Sequence, residues 1–519
     1  MRSQAVSTTG RAFRPRTQRE SCEMSLLSMD RRVVGNKRTS LVLSLGMATV
    51  VVSMMQTLTV PILPIIQRDL HAAPAAVGWV TTVTLLAAAV CTPLLTRLGD
   101  QRGKRRVLIG VLVAAVVGSV VATVTSSLPL LLVSRALQGS STAIFPLALS
   151  ILRDELPPTR LPTAMAAVSS TLAVGSGLAL AAAGVLTQGE NPDYHRVFLF
   201  SAVLCTLALV AVTLVVPPSS QVAGGRIDWI GAAVLACVLV LILLPLSQAN
   251  TWGWGSVPTL ASFGAAIVAG GFWVVFEKHR RDALVDMKML TLRPVVLTNL
   301  AGILLGFGMF TQYIGISTFV QAPAHLAGYG FTASTVRASV EFLLPGAVAS
   351  LVTGQVAGIF IRRFGARIPL AVGACSGVLG FTGLAFLHDT PASVIAAGLL
   401  TGIAVSCGFA TLPIFIAAGV PALQNGIANG VNSIARSTGS SVASAVVITL
   451  LTSGTLPDLP GESATLATES QYVTIFLLGA GAFACVAVIA MFGLPTGASR
   501  PGGPGRPRRP RRSARSRDR

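Results

Sequence analysis

Negative charge is what this 519-residue sequence has least of: 19 Asp and Glu stand against 39 Lys and Arg, and charged residues of both signs make up only 11% of the chain. Soluble domains carry about 25%, so an ordinary water-exposed globular enzyme is excluded. Cysteine numbers seven, an odd count, and all but Cys22 lie inside apolar runs without CxxC spacing, which excludes a disulfide framework and a zinc site and leaves them as small buried hydrophobes. The five histidines form no HExxH, and neither GxSxG nor GxGxxG occurs. Gly-Lys appears once, at Gly103-Lys104, but Arg105 follows it and Leu98 holds the first Gly position of a P-loop, so no nucleotide site is expected. No metal, cofactor or enzymatic activity follows from such a chain. Its net charge of +20 sits in short clusters between apolar runs, a pattern of membrane topology and not of a nucleic-acid partner.

What is present in abundance is apolar length. The hydrocarbon core is about 30 Å thick and a helix rises about 1.5 Å per residue, so about 20 mostly apolar residues cross it. Fourteen stretches qualify: 41–64, 77–96, 107–126, 128–152, 163–186, 197–216 and 228–247, then 258–276, 295–320, 337–361, 369–387, 391–418, 427–452 and 472–494. An even count puts both termini on one side. Nine basic residues lie between Arg2 and Arg38, and the tail RPGGPGRPRRPRRSARSRDR is more basic still, so both ends are expected in the cytoplasm. The clusters Arg97 to Arg106, Arg153/Arg160, Lys278 to Arg293 and Arg362 to Arg367 fall in loops of the same parity, whereas the opposite loops hold Arg68, Arg196 and, at a helix edge, Arg337. No cleavable signal peptide is expected, Met24 or Met29 would serve as well as Met1 for a start, and both basic ends are expected to be disordered.

Between the second and third stretches the sequence reads LLTRLGDQRGKRRVL, five basic side chains and one Asp within fifteen residues. Leu98-Gly99-Asp100-Gln101-Arg102-Gly103-Lys104-Arg105 resembles the loop between helices 2 and 3 of the major facilitator superfamily, with Thr96 where a first Gly is usual. A second copy runs from Gly358 through Arg362, Arg363 and Gly365 to Arg367, with Arg362 in place of the Asp. Arg135-Ala-Leu-Gln138-Gly139, Asp228-Trp229-Ile-Gly231, Glu277 with Leu284-Val285-Asp286, and Asn432 to Gly439 are similar to motifs of that superfamily's fourteen-helix drug:proton antiporter family. Two departures stand out. Met54-Met55-Gln56-Thr57 carries no carboxylate where that family often has one, and Val174 to Leu186 lacks the family's Pro.

The resemblance implies an all-α membrane protein of two six-helix bundles, 41–216 and 295–494, with two inserted helices within 228–276, a loop at 277–294, and basic ends at 1–40 and 495–519. It implies a conformational switch at Asp100, Arg102, Gly103, Arg105, Arg362 and Gly365. Gly103 supplies the tight turn, and Asp100 accepts bonds from Arg102 or Arg105 or sits at a neighbouring helix N-terminus. Ionisable groups within the bilayer are costly and default to function, so Arg135 and Glu341 are expected to couple protons. Arg337, one helical turn from Glu341, would pair with it. A substrate surface is expected from Met54, Met55 and Gln56, from Gln138 and Phe145, and from Met309, Phe310, Gln312 and Tyr313, since flexible Met and aromatic faces suit varied apolar ligands.

The function implied is a secondary transporter of the bacterial cytoplasmic membrane that exports amphipathic or cationic drugs or toxins by proton antiport. Its partners would be a small-molecule substrate, protons and the lipid bilayer, with the chain acting as a monomer. The departures at helices 1 and 5 favour, as the alternative, a metabolite uniporter or symporter of the same fold. The long basic ends leave a third reading, a scaffold or sensor without transport.

Overall fold

In a bilayer no water satisfies an exposed backbone, so apolar runs of this length close their N–H and C=O groups within helices. The computed structural model describes residues 38–494 except 73, 189–192, 220–227, 281–284, 422–423 and 454–465. Expectations for the basic ends, the start codon and Cys22 therefore lie outside the described residues.

Thirteen of the described helices are long and apolar enough to cross a membrane. They are α1 (Arg38–Thr57), α2 (Pro74–Arg102), α3 (Lys104–Val124), α5 (Leu161–Leu186), α6 (Tyr194–Val215), α7 (Trp229–Trp252), α8 (Val257–Lys278), α9 (Arg293–Gln321), α10 (Ala338–Phe364), α11 (Arg367–Phe386), α12 (Pro391–Gly419), α13 (Asn425–Ser453) and α14 (Glu469–Gly493). The remaining span, α4, is built in pieces: Leu128–Gly139, a 3-10 turn over Ser140–Ala143, and Ile144–Glu155. In that turn Ser140 and Thr142 donate their hydroxyls back to the carbonyls of Leu137 and Gly139, the local bonding by which Ser and Thr bend helices. All fourteen expected stretches are helical, an all-α fold, though the first, 41–64, runs past the end of α1 at Thr57 into a 3-10 turn over Val60–Ile62 and a short helix from Leu63.

Local chemistry explains many helix starts. Pro stands in the first two positions of α4, α5, α8, α9 and α12, where its missing N–H has no intrahelical partner to lose. Side chains of Asp193, Ser256 and Thr390 cap α6, α8 and α12. Between α2 and α3 the turn is a single residue, Gly103 at φ 105°, and Gly365 at φ 86° plays the same part between α10 and α11.

Helix α9 packs on α13, α11 on both α12 and α14, and α3 on α6. The two halves of the chain meet where α5 lies along α10 and α12 and where α13 touches α2 and α4. Helix α7 packs against α2 and α13, while α8 touches α7 and the short helix Met287–Leu290 and turns most of its surface outward. Outward-facing Leu214, Ile267, Val268 and Phe272 belong to a wide apolar periphery suited to lipid. The ends of α2, α4, α8 and α10 and the starts of α3, α5, α9 and α11 carry the basic clusters on one side, here termed the basic face.

Candidate functional site

At the basic face, the motif residues expected in a loop are mostly helical. Asp100 lies on the last turn of α2, buried, with its carboxylate against the first turn of α13: a Cβ on Gly426 would fall 2.8 Å from either oxygen. A helix N-terminus carries a partial positive charge, and here it faces the carboxylate. The ion partner differs from expectation. Lys104 Nζ, also buried, lies 3.9 Å from Asp100 and 2.6 Å from Asp154 at the end of α4. Arg102 is exposed, and Arg105 donates instead to the Thr213 carbonyl at 2.7 Å, tying α3 to the end of α6. The reason is geometric: across the sharp Gly103 turn Lys104 falls on the buried side with Asp100, while Arg102 faces out and Arg105 faces α6. Nearby, Arg153 donates to the Val420 carbonyl at 3.1 Å. Three contacts thus join the halves toward the basic face: Asp100 to α13, Arg153 to Val420, and Thr163 of α5, whose hydroxyl donates to the Gly358 carbonyl of α10 at 3.3 Å. The second copy differs: Arg362 and Arg363 are exposed, Arg363 lies over the Phe364 ring at 5.3 Å, and neither forms an ion pair among the described residues.

At the junction of the halves lies a cavity of about 30 Å³, walled by α1, α4 and α5 from one side and α9, α12 and α13 from the other. Gln56, Phe145 and Met309, three of the expected substrate residues, line it. The 3-10 turn of α4 delivers Thr142 to the lining, where its hydroxyl accepts from Gln56 at 3.2 Å, with Phe145 just beyond. Sequence reading missed the cavity's charge. Arg436 of α13 lines it, with its guanidinium 4.8 Å from the Phe409 ring centre and 5.3 Å from that of Phe145. Glycines fix its position: a Cβ on Gly306 would overlap the Arg436 carbonyl oxygen and one on Gly439 that of Ile303, so α9 and α13 cross in backbone contact there. A signal existed in the sequence, since an arginine eleven residues inside an apolar helix is an intramembrane cation.

The other expected site residues lie elsewhere. Met54 and Met55 pack in apolar cores. Arg135 neither snorkels nor reaches the cavity. Wholly buried, it donates to the carbonyls of Val80 at 3.3 Å and Met55 at 3.1 Å and to the Gln138 side chain, while Gln138 donates to Ser119 at 3.0 Å. It staples α1, α2, α3 and α4 through neutral acceptors, with no carboxylate within ion-pair distance among the described residues. Gln138 is consumed in that network. Glu341 pairs with Arg337 at 2.6 Å, both partly exposed, in a π-helical turn at the end opposite the basic face. Solvent there removes the burial that made Glu341 attractive as a proton site. Phe310 packs against the apolar core, Gln312 is buried near Gly346 of α10, and Tyr313 lies beside Ser176 of the cavity wall. Among the described residues, no Asp or Glu lines the cavity.

A larger hollow of about 740 Å³ opens between α2 and α3, apolar along Leu95, Leu98, Val107 and Val111, with Arg102 and Arg106 at its basic end. It lies within one half and away from the junction. No group of three or more His, Cys, Asp or Glu side chains among the described residues is arranged to hold a metal.

Residues 45–444 match the model of the Major Facilitator Superfamily. Relatives include a tetracenomycin C resistance and export protein of Streptomyces glaucescens, 27% identical over 79% of this chain and 75% of the relative. A cephamycin export protein of Amycolatopsis lactamdurans is 29% identical over 80% and 85%, and a multidrug efflux pump of Mycolicibacterium smegmatis is 26% identical over 75% and 76%. Among solved structures, a human organic anion transporter superposes with a TM-score of 0.57 at 14% identity, covering 86% of this chain and 99% of that one. A proton:xylose symporter gives 0.57 at 13%, covering 88% and 96%; these two likenesses concern the fold. With its helices, its two-copy turn motif and a family match across most of its length, the chain belongs to the Major Facilitator Superfamily and is a multi-pass membrane transporter, not an enzyme.

Proposed function

We propose that this transporter exports amphipathic small molecules from the bacterial cytoplasm by alternating access, with protons entering in exchange. The observation that carries the reading is the position of the cavity, walled by helices of both halves and therefore able to open to either side as they rock. The export functions named for three relatives support the direction. The basic face is taken as cytoplasmic on the positive-inside rule, and the units 41–216 and 295–494 as the moving bundles, with α7 and α8 as the insertion between them. In this conformation the Asp100 and Arg153 contacts hold that face shut, so they form the switch. Since no carboxylate among the described residues lines the cavity, we assign the proton to Asp100: its protonation would remove the charge that α13 and Lys104 hold, and free the face to open.

The same lack of a cavity carboxylate favours a second reading, uniport. A uniporter carries its substrate down the substrate's own gradient by the same alternating access and needs no proton. Efflux-deficient cells expressing the chain, challenged with a panel of toxic compounds with and without a protonophore, separate the two. Antiport predicts export that stops with the protonophore and survives Glu341→Gln. Export that persists without a proton gradient would establish uniport, and failure to lower accumulation of any compound would overturn export.

A further inference from the structure

Arg436 lies roughly 16 Å along α13 from Asn425, at about 1.5 Å per residue, in a helix of 29 residues. It is thus a cation deep within the span, and such groups persist where a charge or a ligand compensates them. Among the described residues no Asp or Glu lies within 4.0 Å of it. A guanidinium offers five N–H donors in a planar fork, and among the described residues Arg436 makes one hydrogen bond, to the Ser433 hydroxyl at 3.3 Å. The two phenylalanines compensate it through their ring faces only.

The cavity's other polar side chains, Ser53, Gln56, Thr142, Ser176, Ser437 and Ser440, are all neutral. Ser53 donates to the Leu172 carbonyl, Thr142 to that of Gly139 and Ser440 to that of Gly306, so their protons are engaged. Arg135, wholly buried, shows what a satisfied guanidinium looks like: it spends its N–H groups on two carbonyls and Gln138. Arg436 keeps its fork for something not in the chain. A cationic ligand would meet like charge at close range, whereas a carboxylate or sulfonate would take the fork in two parallel bonds.

We propose that the central cavity selects an anionic aromatic molecule, its acid group on the Arg436 guanidinium and its ring against Phe145 and Phe409. This rests on the reading of the cavity as the exporter's substrate site, and it replaces the expectation of cationic cargo. Phe145 belongs to one half and Arg436 with Phe409 to the other, so such a molecule would bridge the bundles that must part. The cavity of about 30 Å³ seen here has room for about a single water, so the ligand enters only when one face opens.

Three probes on one scaffold test this: pyrenebutanoic acid, pyrenebutanol and pyrenebutyl-trimethylammonium. Binding to the purified full chain is read by fluorescence titration, and transport by uptake into inside-out vesicles. The wild-type protein should bind the acid at least tenfold more tightly than the ammonium. Arg436→Gln should erase that preference, Arg436→Lys should keep most of it, and Phe409→Leu should weaken all three probes alike, with each variant checked for a monodisperse elution profile. Equal binding of acid and ammonium by the wild type, or an undiminished preference in Arg436→Gln, would overturn the proposal. Selective, Arg436-dependent binding of the acid without uptake of any probe would uphold the anion site and overturn the export reading instead.

Discussion

The turns at Gly103 and Gly365 share a pattern of glycine flanked by arginine and a positive φ, yet they do different work. At the first, Asp100 is buried against α13 and Lys104 is held between Asp100 and Asp154. At the second, Arg362 stands in the Asp position, exposed and without an ion pair among the described residues. Two copies of one motif thus separate topology from switching. The basic charge and the glycine suffice to make an anchored turn, while the carboxylate adds the contact to the other half of the molecule.

Lys104→Met should have the largest effect on this contrast. It leaves the buried Asp100 and the partly buried Asp154 without their cation, a loss worth about 3–5 kcal/mol for buried pairs. Thermal unfolding in detergent should show it as a clear drop in midpoint, and an unchanged midpoint would mean the cluster is hydrated and weak. Next, Asp100→Asn should reduce export at least tenfold with insertion intact, since it removes the charge held by α13, while Arg362→Gln should change export less than twofold. Equal losses in the two variants, measured as initial efflux rates at matched expression, would make both turns mere anchors. The smallest effect belongs to Gly103→Ala and Gly365→Ala. Each forces a Cβ into a positive-φ conformation at a cost of about 1–3 kcal/mol, so both should lower stability alike. Transport should fall only for the first, which carries Asp100.

The arginines give a second lesson in reading such a chain. Arg135 bears the cost of a charge inside the bilayer, and that cost says nothing of its partners. Its carbonyl acceptors come from residues 55 and 80, and backbone acceptors leave no mark in sequence. Arg436 bears the same cost in a stretch similar to a known motif, and the cavity it faces forms only where α4, α12 and α13 converge. Glu341 shows the converse case. Its partner Arg337 at spacing four was legible, but whether the pair met protein or water depended on where α10 ended relative to its neighbours.

By itself the sequence determined the fourteen spans, their alternating polarity and the all-α fold, because a bilayer forces every apolar run of sufficient length to close its backbone bonds within a helix. It also determined the turn at Gly103, since only glycine adopts φ 105° freely. The tertiary structure alone decided that Lys104, and not Arg102 or Arg105, serves Asp100. It likewise decided that Met54, Met55 and Gln138 are core, and that Arg436 with Phe145 and Phe409 forms the charged heart of the cavity. Those choices rest on which helix faces meet across hundreds of residues of chain, and helical periodicity says which residues share a face but not what that face will find.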